Sequence, residues 1–305
     1  MNELHYHLVD VFTDRAFGGN PLAVFPDGRG IADAVMQSIA KELNLSETTF
    51  VLPPDDEKHD CRVRIFTPRY ELPMAGHPTV GTAFVLAREG MLKDAEIVFE
   101  EGVGPVPVTI EWKDGAPEFI EMRQPLPKFG PRFEDLDAIA QMLSVEPHVI
   151  RDMNLPVEVV SCGVPFLFVP FPNLRAIRDV RVRADLWEQT LGDVACEGVF
   201  VFTSEVEFPG STIHSRMFAP AHGIAEDPAT GSATGPVGCY VVRYGVLPSD
   251  GELRCVSEQG VEMGRPSFLH IRIANVGNDI REVRVGGTCH YMGSGHLELV
   301  NGTNG

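Results

Sequence analysis

Polar and apolar side chains alternate over residues 5–12 (HYHLVDVF), the mark of a half-buried strand, and a Gly18-Gly19-Asn20-Pro21 turn leads into a second strand at 22–25. Over 32–43 the period changes. Val35, Met36, Ile39, Ala40 and Leu43 fall on one face at three-to-four spacing, which predicts a helix with Asn44 as its C-terminal cap. Residues 48–52 are β-branched and aromatic, so the chain returns to strand within a few residues, with Glu47 at the junction. That places a carboxylate at the mouth of a strand. A further strand is predicted over 62–66, then a loop over 67–76 and a helix beginning near Pro78, where a missing N–H costs little. This helix is apolar nearly all round (Val80, Ala83, Phe84, Val85, Leu86, Ala87), so it is expected inside a curved sheet, not lying on one.

The same pattern is written twice. Residues 75–90 (AGHPTVGTAFVLAREG) and 230–245 (TGSATGPVGCYVVRYG) each place a small residue, a glycine and a polar side chain before an apolar helix that stops at Arg-x-Gly. Three more pairs follow in the same order: GNPLAVFP (19–26) with GVPFLFVP (163–170), ETTFV (47–51) with EGVFV (197–201), and RIFTP (64–68) with RMFAP (216–220). A repeat of this length is a domain-sized duplication, not a solenoid module. The expected fold is α+β: two pseudo-symmetric domains, each a curved mixed sheet around a central buried helix. The Pro- and Gly-rich stretch 124–131 (QPLPKFGP) reads as the linker. It sets an N-terminal domain at 1–124, completed by the C-terminal segment 288–305, and a C-terminal domain at 125–287. A helix at 136–143 opens the second half, and the tail 301–305 is expected to be disordered.

Composition narrows the function classes. At 305 residues the chain can bury two cores, and its 44% apolar content includes no run long enough to span a bilayer. MNELHYHLVDVF lacks the basic and apolar regions of a signal peptide, which points to the cytoplasm. A net charge of −18 repels phosphate backbones, so no nucleic-acid partner is expected. The six cysteines show no C-x-x-C spacing and the ten histidines no H-E-x-x-H or clustered set, so no metal is expected.

Both central helices begin at Gly-rich turns whose free N–H groups and dipole suit an anion such as a carboxylate. A small acidic substrate held by the two helix starts, across a cleft between the domains, is the natural expectation. On the residues alone other readings stay open. Gly76, Gly231 and Gly235 serve tight helix entry equally well; Asp227 before Pro228 reads as an N-cap; His77 as a structural histidine; Glu47 as a solvated loop residue. Glu226, Thr230 and Ser232 crowd the second turn.

The strings DVFTDRAFGGNPLAVF, LSETTFV, RIFTPRYELPMAGHPTVG and EDPATGSATGP together resemble the phenazine-biosynthesis PhzF family, whose fold is similar to that of the cofactor-independent diaminopimelate epimerases. The likeness covers nearly the whole chain. It implies a site in the interdomain cleft, a homodimer, no cofactor, and isomerisation of trans-2,3-dihydro-3-hydroxyanthranilate or a similar small carboxylated substrate. By the same resemblance Glu47 is the general acid/base and His77 and Asp227 orient polar groups and relay protons. Ser232, Asn20 and the main-chain N–H groups of Gly76 and Gly231 hold the substrate. A glutamate desolvated in such a cleft is expected to have its pKa raised towards neutrality, as a group that both takes and returns a proton requires. The epimerases use a cysteine at the start of each central helix. Here those positions are Ala75 and Thr230, which disfavours a two-thiol racemase, and Cys239 reads as core packing. The alternatives are an amino-acid racemase or epimerase on the same fold and a non-catalytic small-molecule binding protein.

Overall fold

The computed structural model describes residues 2–299. The expected tail disorder at 301–305 lies outside them. In chain order the elements begin with β1 (Asn2–Val11), β2 (Asn20–Phe25), α1 (Asp33–Leu43), β3 (Glu47–Leu52), β4 (Cys61–Phe66), β5 (Glu71–Leu72) and α2 (Gly76–Arg88). Next come β6 (Glu96–Glu101), β7 (Gly104–Lys113), β8 (Ala116–Gln124), β9 (Lys128–Arg132), α3 (Leu136–Leu143) and α4 (Pro147–Arg151). Then follow β10 (Glu158–Ser161), β11 (Pro165–Pro170), α5 (Leu174–Arg178), α6 (Ala184–Leu191), β12 (Gly198–Thr203), β13 (Ile213–Ala219) and β14 (Ile224–Asp227). The chain ends with α7 (Gly231–Arg243), β15 (Glu252–Gln259), β16 (Ser267–Val276), β17 (Asp279–Gly287) and β18 (Cys289–Leu299). Two compact units result, one of Met1–Met122 with Gly287–Gly305 and one of Arg123–Gly286.

In the first unit the strands run in the order β18-β1-β2-β3-β4-β6-β7-β8, with β5 hairpinned on β4; β2–β3 and β4–β6 are parallel and the rest antiparallel. Helix α2 packs against β1, β2, β3, β7 and β18, so the sheet curls around it, and Gly76 to Ala87 are all buried. Close approach demands small residues. A Cβ on Gly81 would stand 2.6 Å from Leu22 Cδ2 and 2.7 Å from Val11 Cγ2. The opposite face of the sheet is closed by α1, whose Met36, Ile39 and Ala40 meet Phe25, Phe50 and Phe66. As the periodicity predicts, α1 ends at Asn44, which adopts a left-handed φ of 50° and returns its N–H to Ala40 O.

The second unit repeats this topology strand for strand. Its order is β9-β10-β11-β12-β13-β15-β16-β17, with β14 hairpinned on β13 and the parallel pairs β11–β12 and β13–β15 in the same places. The central helix is now α7, packed on β10, β11, β15 and β16. Residues 128–131, read from composition as part of a linker, lie in strand β9, paired with β10. Proline is tolerated there because the strand ends the order of its sheet.

Register corrects one of the sequence pairings. Leu22 lies opposite Glu47 and Phe166 opposite Gly198, while Thr48 faces Phe66 and Val199 faces Phe218. With Leu22 answering Phe166 and Phe66 answering Phe218, the counterpart of Glu47 is Gly198, not Glu197. A one-residue slip in a strand exchanges its faces. Accordingly Phe50 stacks on Phe25 in the α1 layer, whereas Phe200 packs at a tilt against Phe168 beside Tyr240 of the central helix.

Candidate active site

The first unit gathers three of the sequence-predicted residues. Glu47 opens β3, directly after the turn capped by Asn44, and is 8% exposed; His77 is the second residue of α2 and 4% exposed; Asn20 opens β2 and is fully buried. Asn20 Nδ2 donates to His77 Nδ1 at 3.3 Å. With Nδ1 an acceptor, the ring proton sits on Nε2, which lies 3.1 Å from Glu47 Oε2. Those two atoms are not aligned as a hydrogen bond. Burial pushes the His77 imidazole down to about 3, so the ring is neutral at physiological pH. The arrangement is a carboxyl group within proton-transfer distance of a neutral imidazole whose tautomer a third side chain sets.

The helix starts are as open as the sequence suggests. Neither α2, capped by Ala75, nor α7, capped by Thr230, has a side-chain cap or an acidic residue in its first turn. The N–H groups of Gly76 and Gly231 therefore lie in positive helix ends that carry no acidic residue of the helix itself. Helix α2 begins two residues before Pro78, which brings His77 onto the helix. Neither capping position is a cysteine.

In the second unit Asp227, 5% exposed, is the last residue of β14 and not the cap of α7. Thr230 Oγ1 donates to Asp227 Oδ2 at 2.5 Å. Gln259 Nε2 donates to Thr230 Oγ1 at 2.9 Å and to Asp227 O at 2.8 Å, while its Oε1 accepts from Thr230 N at 3.1 Å. Because Gln259 fills the acceptor side of the Thr230 hydroxyl, its single proton is directed at Asp227, which is thereby held as an acceptor. Ser232 lies in the first turn of α7, and Pro236 has no N–H to return to its carbonyl. Gln124 Nε2 donates to Gly231 O at 2.9 Å. Glu226, in contrast, is spent on Arg216 at 2.8 and 2.9 Å, repeating the Arg64–Glu71 pair of the first unit.

Sequence reasoning missed Gln259 and Gln124. Both lie in strands without a flanking motif, and only their register beside α7 singles them out. Among the described residues no group of three or more His, Cys, Asp or Glu is arranged to hold a metal ion, and no helix is long and apolar enough to cross a membrane.

A family model described as phenazine biosynthesis-like protein matches residues 9–295. The chain belongs to this family. Among its phenazine biosynthesis-like relatives, a Mesorhizobium japonicum protein named as an uncharacterized isomerase is 40% identical over 97% of this chain and 99% of its own. The trans-2,3-dihydro-3-hydroxyanthranilate isomerase of Pseudomonas aeruginosa is 36% identical over 96% of this chain and 99% of its own. A Bacillus anthracis phenazine biosynthesis protein of the PhzF family superposes with a TM-score of 0.89 at 29% identity, covering 98% of this chain and 100% of that one. A probable proline racemase from Agrobacterium radiobacter, at 11% identity and a TM-score of 0.68 over 99% of this chain and 94% of that one, shares the fold alone.

Proposed function

We propose that the protein is a cofactor-independent isomerase that moves a proton within a small carboxylated substrate, with Glu47 as general acid/base. The observation that carries this reading is the buried Glu47–His77–Asn20 group, with 3.1 Å between Glu47 Oε2 and His77 Nε2. Glu47 takes a proton from one carbon, exchanges it with solvent and returns one to another carbon, so the product is an isomer and the enzyme ends as it began. His77, neutral and with its tautomer set by Asn20, offers its Nε2–H to a substrate heteroatom beside Glu47. Asp227 and Ser232 of the second unit orient amino and hydroxyl groups, and the N–H groups of Gly76 and Gly231 hold polar oxygens.

The first candidate substrate is trans-2,3-dihydro-3-hydroxyanthranilate, because Pseudomonas relatives bear that isomerase's name. Incubating this compound with the protein in D2O tests the reading: the account expects its consumption, with deuterium entering a ring carbon. Recovery of undeuterated starting material would remove this substrate, and a binder without turnover would show ligand shifts but no exchange. We further place the protein in the cytoplasm as a homodimer. All six cysteines are free thiols, as a reducing compartment requires. Light scattering should give twice the chain mass of 33.4 kDa.

A further inference from the structure

Glu101 ends β6, is 8% exposed, and takes no part in the proton transfer proposed above. Its carboxyl meets the hydroxyl of Thr79 in the first turn of α2. Thr79 Oγ1 lies 2.5 Å from Glu101 Oε1 and 2.7 Å from the carbonyl oxygen of Ala75, the residue that caps the helix. A hydroxyl has one hydrogen, and a carbonyl oxygen and an ionised carboxylate oxygen can only accept. Were Glu101 ionised, one of the two contacts would be oxygen against oxygen with no proton between. Both are satisfied when Glu101 carries a proton and donates it to Thr79, while Thr79 donates to Ala75.

The duplicated half supplies an independent comparison. Arg62 pairs with Glu100 across β4–β6, and His214 pairs with Glu258 across β13–β15. Glu100 accepts the N–H groups of Asp55 and Asp56, and Glu258 those of Glu207 and Phe208, so the two strands correspond residue by residue. One position on, Glu101 answers Gln259. Gln259 is permanently neutral, and its amide both donates to and accepts from the turn that starts α7. In the second half this position serves the central helix start with an uncharged side chain.

We propose that Glu101 is a positioning residue working as a neutral carboxylic acid: its proton, donated to Thr79, locks the capping carbonyl of Ala75 and so the first turn of α2, which carries Gly76 and His77. The functional part of this inference rests on the reading that this turn serves the reaction. Its titratable surroundings are Cys61 on β4, Glu100 beside it on β6, and Asp55, His59, Arg62, Arg64 and Glu71 lining the surface pocket that reaches it. The two guanidiniums are already engaged, Arg62 by Asp55 and Arg64 by Glu71 and Asp33. Burial pushes the Glu101 carboxyl up to about 8. Above that pH a proton is lost from the Glu101–Thr79–Ala75 chain and the turn loosens.

The test is nitrogen NMR of the His77 ring from neutral to alkaline pH, where His77 itself does not titrate because burial holds it at about 3. Wild type is expected to show a change in ring shifts centred near the Glu101 value of about 8. Glu101→Gln, isosteric and permanently neutral, should keep the low-pH shifts throughout. The same pH response in both proteins would overturn the proposal. Should Glu101→Gln fail to fold, infrared spectra of wild type with carboxyl-labelled glutamate decide. The carbonyl stretch of a protonated acid must vanish over the same pH range and must shift in Thr79→Val; its absence at neutral pH overturns the proposal. Neither readout uses a substrate, so each stands or falls separately from the isomerase reading.

Discussion

His77 shows how one residue's environment sets its chemistry. With burial alone holding it at about 3, it serves as a neutral donor and cannot be a cationic partner for Glu47 at physiological pH. Nitrogen NMR should therefore find a single neutral tautomer, protonated at Nε2, across the physiological range, and Asn20→Leu should remove that preference; an imidazolium near neutrality would contradict the geometry. Motifs in the sequence point to Glu47 and His77, but the tautomer rests on Asn20, which reads there as a turn residue and, by the resemblance, a substrate contact, not as a partner of His77. The Thr230 hydroxyl is likewise conspicuous in the sequence, whereas its direction depends on Gln259, a strand residue far along the chain. Such pairings arise from register, which no local pattern encodes.

At the scale of elements, the apolar periodicity of 32–43 and the all-round apolar composition after Gly76 are enough to place α1 and the buried central helix. What a local pattern could not fix was the alignment of β3 with β12, because ETTFV and EGVFV match as strings while strand pairing shifts them by one. The helix-to-sheet contact is testable at Gly81. An added methyl would press on Leu22 and Val11, so Gly81→Ala should cost about 1–3 kcal/mol, read as a lower urea midpoint at unchanged slope. Gly30, with open space around it but a φ of 76°, would instead lose stability through backbone strain alone.

Across the whole molecule, three buried groups bound the pH range of stability. His77 is lowered from 6.5 to about 3, so the unfolded chain binds its proton first, and this stabilisation, complete above 6.5, is lost as pH falls. Glu101 is raised from 4.5 to about 8 and favours the folded state below 4.5, with the contribution disappearing as pH rises through 8. For His214, burial lowers the value, but hydrogen bonds and charge from Glu258 and Glu262 outweigh it and lift it to about 9, so its contribution fades as pH rises from 6.5 through 9. Denaturant titrations across pH should show stability declining below 4.5 and again above 6.5, and Glu101→Gln should remove the part of the fall that runs from 4.5 to 8. The duplication itself is legible in the repeated strings. Less visible is that it copies the scaffold and not the chemistry: Glu47 answers Gly198, His77 answers Ser232, and Asp227 answers Leu72. The most direct test of that account is the rate of solvent-deuterium incorporation into trans-2,3-dihydro-3-hydroxyanthranilate by wild type, Glu47→Gln and Glu197→Gln. The account predicts a loss of roughly 10²–10⁴-fold for Glu47→Gln and wild-type rates for Glu197→Gln; unimpaired exchange by Glu47→Gln would contradict it.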